Sequence, residues 1–181
     1  MVFKIENILD VDRTLWWLAY CNSMVILDSY LGNSKHNYYI YEDHNKRFNP
    51  IIWDLNGGFG IFNKANMGTG PGLTLTEMQN MSAFLHDADV NWPLVKNLLA
   101  VPLYRHMYLA HMKTLMSENI ANNSYYNLGL QLQAIVDTAV LSDTKKFASY
   151  SDFLNNLNNN VVAVSYTHLR AHETKANLVC R

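Results

Sequence analysis

No stretch of the 181 residues stays apolar for the roughly 18 positions that a bilayer span needs; the richest run, 15–27, is broken by Tyr20, Asn22 and Ser23. No membrane-crossing helix is expected. An excess of either charge is also lacking, since Lys plus Arg number 14 against 15 for Asp plus Glu, a formal net charge of −1. That balance provides no field to hold a nucleic-acid backbone or an anionic membrane, so neither is expected as a partner. Cysteine is scarce: Cys21 lies inside an apolar pattern and Cys180 beside the last residue. Two thiols are too few for a disulfide scaffold or a Cys-based zinc site. Met1 opens directly onto amphipathic sequence, without the basic stretch, apolar core and small-residue cleavage site of a secretory signal.

What is present is 49% hydrophobic and 16% charged, which lies in the globular range and excludes collagen, coiled-coil rod and disordered tail. Residues 1–163 are read as one domain. Residues 164–181 are set apart as a non-native, disordered tail, because 165–181 (SYTHLRAHETKANLVCR) break the preceding pattern and resemble translated sequencing-adapter DNA.

Along the domain, Asp10 and Asp12 precede apolar residues at helical spacing, predicting a helix over 11–25. Residues 27–35 (LDSYLGNSK) favour turns. HNYYIYE at 36–42, polar DHNKR at 43–47 and FNPIIWD at 48–54 predict a β-hairpin, with the Pro50 nitrogen turned away from its partner strand or placed at a bulge. A Gly-rich connection through MGTGPG at 67–72 follows, then helices over 92–99, 102–119, 126–141 and a short one over 149–157, with 155–160 as a solvated Asn-rich end. The fold class expected is α+β, mostly helical, with the hairpin carrying the site.

Three side chains suited to phosphate chemistry fall at element boundaries: Asp28 in the loop after the first helix, Asn37 where the first strand starts, and Asp54 where the second ends. A carboxylate and an amide carbonyl at adjacent strand ends suit Mg²⁺, which keeps waters and phosphate oxygens as its other ligands. A second carboxylate, Asp28, would orient a hydroxyl nucleophile. A lone Asp ending a turn is the commoner occurrence, and the surrounding motif is what favours catalysis. The order helix, Asp loop, Asn, hairpin, Asp and Phe-Gly is that of the large lobe of protein kinases, in topology and not in letters.

The segments LDSYLGN at 27–33, HNYYIY at 36–41 and IWDLNGGFG at 52–60, with PLYRHMY at 102–108 and YSDFLNNL at 150–157, resemble the spore-coat CotH kinase family over residues 7–161. The resemblance implies an atypical protein-kinase-like fold that uses ATP with Mg²⁺, or Mn²⁺ in its place, to phosphorylate Ser or Thr of coat or surface proteins. It implies a spore-coat, cell-surface or secreted location. By position, Asp28 would be the catalytic-loop base, Asn37 a metal ligand and Asp54 the principal metal ligand to the nucleotide phosphates. Asn56, also placed at the metal, stands where many relatives carry a second Asp. Asn33 competes with Asn37: it follows Asp28 by five positions, the kinase catalytic-loop spacing, whereas Asn37 follows by nine but sits directly before a strand.

Only 27 residues precede Asp28, which leaves no room for the glycine-rich sheet lobe with its Lys and Glu. The chain is therefore expected to be the large-lobe fragment of a longer protein, with the small lobe missing and ATP bound weakly or not at all by this piece alone. The rival expectation is a non-catalytic structural or interaction module of the same fold, with an aromatic and Asn-rich surface for protein or glycan partners. Trp16, Trp17 and Trp53 are expected in the core, and Tyr38, Tyr39 and Tyr41 in strand packing. His106 and His111 are five apart and make a poor metal pair, so each is expected to be solvated or in the core. Asp87, Asp89 and Asn91 begin like a calcium loop but meet Trp92 and Leu98 where Gly and Glu are required, and no Gly-Lys-Ser/Thr follows the glycines at 68–72.

Overall fold

The structure is a computed structural model and describes residues 5–157; the tail at 164–181 lies outside the described residues, as does the Asn-rich end past 157. The first helix, α1 (Val11–Ser23), starts where Asp10 accepts a hydrogen bond from Arg13 N at 3.0 Å, satisfying a first-turn amide that would otherwise lack a partner. It ends two residues earlier than expected. Val25, fully buried, takes φ 49°, a left-handed conformation that is rare for a β-branched residue.

The hairpin consists of β1 (Tyr38–Glu42) and β2 (Phe48–Ile52), antiparallel with Tyr38 opposite Ile52 and Ile40 opposite Pro50. Its turn is closed by Asp43 Oδ1, which accepts from Asn45 N at 2.8 Å and Arg47 N at 3.0 Å. These bonds, the Arg47 amide foremost, hold the Asp43 carboxyl below its usual range. The outer side of β2 meets the N-terminal segment, where Phe48 N donates to Ile8 O and Asp10 N to Phe48 O, both at 2.9 Å.

The rest is helical. A short α2 (Leu75–Gln79), not anticipated from the sequence, is held by a reciprocal Thr74–Glu77 capping box. Then α3 (Pro93–Leu99) and α4 (Pro102–Leu115) each carry proline in the first position, where its missing N–H costs nothing. α4 passes into a π-helical turn, Met116–Ile120, and α5 (Ser124–Ser142) and α6 (Tyr150–Asn155) follow. The result is α+β, helices with one two-stranded sheet among the described residues.

The core lies between α1 and α4, where Leu15, Leu18, Tyr108 and Met112 are buried, and continues to Trp92 beneath the loop after α1. Polar struts cross it: Tyr108 donates its hydroxyl to Ala83 O at 2.8 Å, and Asn22 Nδ2 donates to Ser82 O at 3.1 Å. Complete burial pushes the Tyr108 hydroxyl well above its usual range. His111 is neither solvated nor an apolar-core histidine: it stacks on Trp16 with ring centroids 4.0 Å apart and places Nε2 2.8 Å from Asp12 Oδ1, joining α4 to α1. The expectation for tryptophan fails at Trp53, which is 58% exposed, while Trp17 is buried. The strand tyrosines divide in the same way, because a two-stranded ribbon has only one face to bury: Tyr38 packs inward, and Tyr39 and Tyr41 face outward.

Candidate phosphoryl-transfer site

The loop after α1 is pinned from several directions. Ser29, buried, donates Oγ to Ile26 O at 2.5 Å and receives Leu31 N at 3.3 Å. From the segment before α3, Trp92 Nε1 donates to Tyr30 O at 2.9 Å and His86 Nε2 donates to Leu31 O at 3.0 Å. The Tyr30 hydroxyl accepts from Leu94 N at 3.1 Å. His86 and Trp92 stack with centroids 3.5 Å apart and planes 2° from parallel. Desolvation in this position lowers the His86 pKa, so the neutral ring with hydrogen on Nε2 suits the bond to Leu31.

Asp28 stands in this fixed loop with its side chain 23% exposed. Asn37, at φ 57°, turns back from the start of β1 and donates Nδ2 to the Asp28 main-chain oxygen at 2.9 Å. The bond occupies the amide nitrogen and leaves Oδ1 as the group's acceptor. Trp17, Tyr30 and Tyr38 support this corner as a cluster of rings with centroids 5.0 to 5.7 Å apart. Asn33 is oriented differently: its Oδ1 accepts from Ser34 Oγ at 3.0 Å and its main-chain nitrogen donates to Lys64 O at 3.0 Å.

On the other side, Asp54 stands two residues past the end of β2 at φ 55°, exposed, and is the N-cap residue of a 3-10 turn, Leu55–Gly57, that carries the exposed Asn56. The chain then folds over the end of α1, where Phe59 N donates to Met24 O at 2.7 Å and Gly60 N to Val25 O at 3.0 Å. The left-handed backbone at Val25 breaks the helix there, and the carbonyls of Met24 and Val25 are satisfied by this turn segment in place of helical amides. Gly57 passes so close to Asp28 that a Cβ there would lie 2.9 Å from Asp28 Cβ, so only glycine permits the approach. The structure thus joins Asp28 to Asn37 by a hydrogen bond and to the turn after Asp54 by van der Waals contact.

A family model described as CotH kinase protein matches residues 2–175. The chain belongs to the CotH kinase family. No curated protein matches it. In this CotH kinase chain, Asn37 is bonded to Asp28, Trp53 N donates to Asn37 O at 3.2 Å one residue before Asp54, and Gly57, one residue after Asn56, packs against Asp28. Among the described residues, no group of three or more His, Cys, Asp or Glu stands ready to hold a metal unaided. The side-chain oxygens of Asp28, Asn37 and Asp54 are carboxylate and amide oxygens, the donor types that hard divalent ions take together with water.

Sequence reasoning missed three residues here. His36 lies inside the HNYY segment, with Nε2 3.3 Å from Asp28 Oδ1. His86 and Trp92, which pin the loop from below, lie 55 and 62 residues from the carbonyls they bind, and no local pattern marks them.

Proposed function

We propose that this chain carries the large-lobe half of an atypical protein kinase site, transferring the γ-phosphoryl of ATP to a Ser or Thr hydroxyl of a spore-coat or surface protein. The observation that carries this reading is the hydrogen bond from Asn37 Nδ2 to the Asp28 carbonyl, beside the Gly57 contact that brings the Asp54 turn alongside. In it, Asp28 accepts the proton of the acceptor hydroxyl, while Asn37 and Asp54 supply metal-facing oxygens, with Asn56 beside them. Mg²⁺, or Mn²⁺, would neutralise the phosphate oxygens as charge moves to the leaving diphosphate. Family membership supports the phosphotransferase assignment at the level of the family. A spore-coat, cell-surface or secreted location belongs to the same proposal.

The test is phosphate incorporation by the full-length gene product with ATP and Mg²⁺. Asp54→Ala is expected to lower it by at least about a hundredfold, the scale of losing a preorganised electrostatic contact. Incorporation equal to the unaltered protein would favour a second reading, in which catalysis has lapsed and the surface binds partners. The exposure of Tyr39, Tyr41 and Trp53 on the hairpin favours that alternative.

A further inference from the structure

Three consecutive residues ahead of β1 are anchored in three directions. Lys35 places Nζ 4.2 Å above the Trp92 ring. His36 Nε2 lies 3.3 Å from Asp28 Oδ1. Asn37 donates to the Asp28 main-chain oxygen at 2.9 Å. Lys35 and Asn37 adopt φ 50° and 57°, conformations that side-chain-bearing residues rarely take, and the bends lie on either side of His36. Two adjacent side chains therefore grip one residue, His36 by its carboxylate and Asn37 by its carbonyl. The remaining oxygen, Asp28 Oδ2, faces Gly57, 3.4 Å from where a Cβ would stand.

As a contribution to stability the contact between His36 and Asp28 is small. The side chains are 47% and 23% exposed, and ion pairs in such surroundings are largely offset by hydration and side-chain entropy. Its other effect is on direction: Nε2 of His36 stands beside Oδ1 and Gly57 beside Oδ2, one neighbour for each carboxylate oxygen. An aspartate carboxylate with an unopposed edge turns about its Cβ–Cγ bond, and a neighbour at each oxygen limits that rotation.

We propose that His36 is a positioning residue, holding the Asp28 carboxylate in the single orientation in which it receives the acceptor's proton. The inference rests on the kinase reading above. In the step it serves, the acceptor oxygen forms a bond to the γ-phosphorus of ATP, the bond from that phosphorus to the oxygen of the leaving ADP breaks, and the hydroxyl proton passes to Asp28.

The test compares the unaltered full-length protein with His36→Ala and His36→Gln, measuring phosphate transfer, melting temperature and crystal structures. His36→Ala is expected to lower kcat by about ten- to a hundredfold, with KM for ATP and the melting temperature near those of the unaltered protein. In its crystal structure Asp28 should occupy more than one rotamer. His36→Gln, whose amide N–H reaches the same oxygen, should recover most of the rate and the single rotamer. A kcat for His36→Ala within about twofold of the unaltered protein overturns the proposal, as does a Gln variant no better than Ala. An unchanged Asp28 rotamer in His36→Ala overturns it on structural grounds, without reference to activity. Absence of Asp54-dependent transfer in the unaltered protein overturns the kinase reading itself and this inference with it.

Discussion

His86 shows what a single buried imidazole does beneath this site. Desolvation is the leading cause that lowers its pKa from the usual 6.5, acting against the Leu31 and Ala65 main-chain groups and Asp89, which favour the charged ring. The unfolded chain therefore binds a proton near pH 6.5 that the folded chain binds only at lower pH. Stability contributed by His86 is complete above that pH and is lost as pH falls toward the lowered folded-state value. The melting temperature of the unaltered protein should drop between pH 7 and pH 5 more steeply than that of His86→Gln, as followed by thermal denaturation (pH range about that of imidazole titration). Equal slopes would show that the ring does not resist protonation. At the same scale, Cys21 is a packing residue: burial pushes its thiol to about 12, so it stays neutral at ordinary pH.

At the scale of elements, the caps make the sharpest expectations. Asp10 both caps α1 and places a carboxylate 3.8 Å from Arg47 of the hairpin turn. Asp10→Ala should cost about 1 kcal/mol in chemical denaturation, and Asp10→Asn, which keeps the capping oxygen, much less. Helices α3 and α4 were legible because proline marks their first residue and apolar stripes mark their faces. The hairpin was legible because aromatic and β-branched runs flank a polar turn. α1 was read two residues too long because no residue type marks its end: Val25 takes a left-handed backbone rare for a β-branched residue, and the carbonyls of Met24 and Val25 are taken by Phe59 and Gly60. The Thr74–Glu77 box that starts α2 was present in the sequence, but five residues beside a Gly-rich run give no apolar period to notice. Asp28, Asn37 and Asp54 could be named as candidates from their element boundaries and the family resemblance, and of the contacts between them only the Asn37–Asp28 bond is a direct one. The pinning by His86 and Trp92 could not, because it depends on contacts between distant parts of the chain.

At the scale of the whole molecule, exposed apolar side chains are prominent on α5 and the hairpin among other elements. α5 contains no buried residue, and Leu128, Leu132 and Ile135 are exposed at helical spacing along one side, Ile135 at 77%. The hairpin adds Tyr39, Ile51 and Trp53. Exposed apolar surface of this kind promotes association. Sedimentation of the purified chain should show self-association that grows with concentration and weakens in Ile135→Glu; a monomer in both, over the same range, would contradict this. The Gly-rich segment has the opposite character. Asn63 and Leu73 close its base with two hydrogen bonds, Leu73 N to Asn63 O at 2.7 Å and Asn63 Nδ2 to Leu73 O at 2.8 Å. A Cβ at Gly72 would overlap the Asn63 amide, so a larger residue there would displace that side chain from its bond to Leu73. Residues 66–71 are exposed beyond that clasp, and doubling the length of such a segment costs only about 0.6 kcal/mol of closure entropy. The clasp thus makes 66–71 a loop closed at its own base, so that a change in its length is absorbed within the loop and the helices and hairpin on either side keep their places.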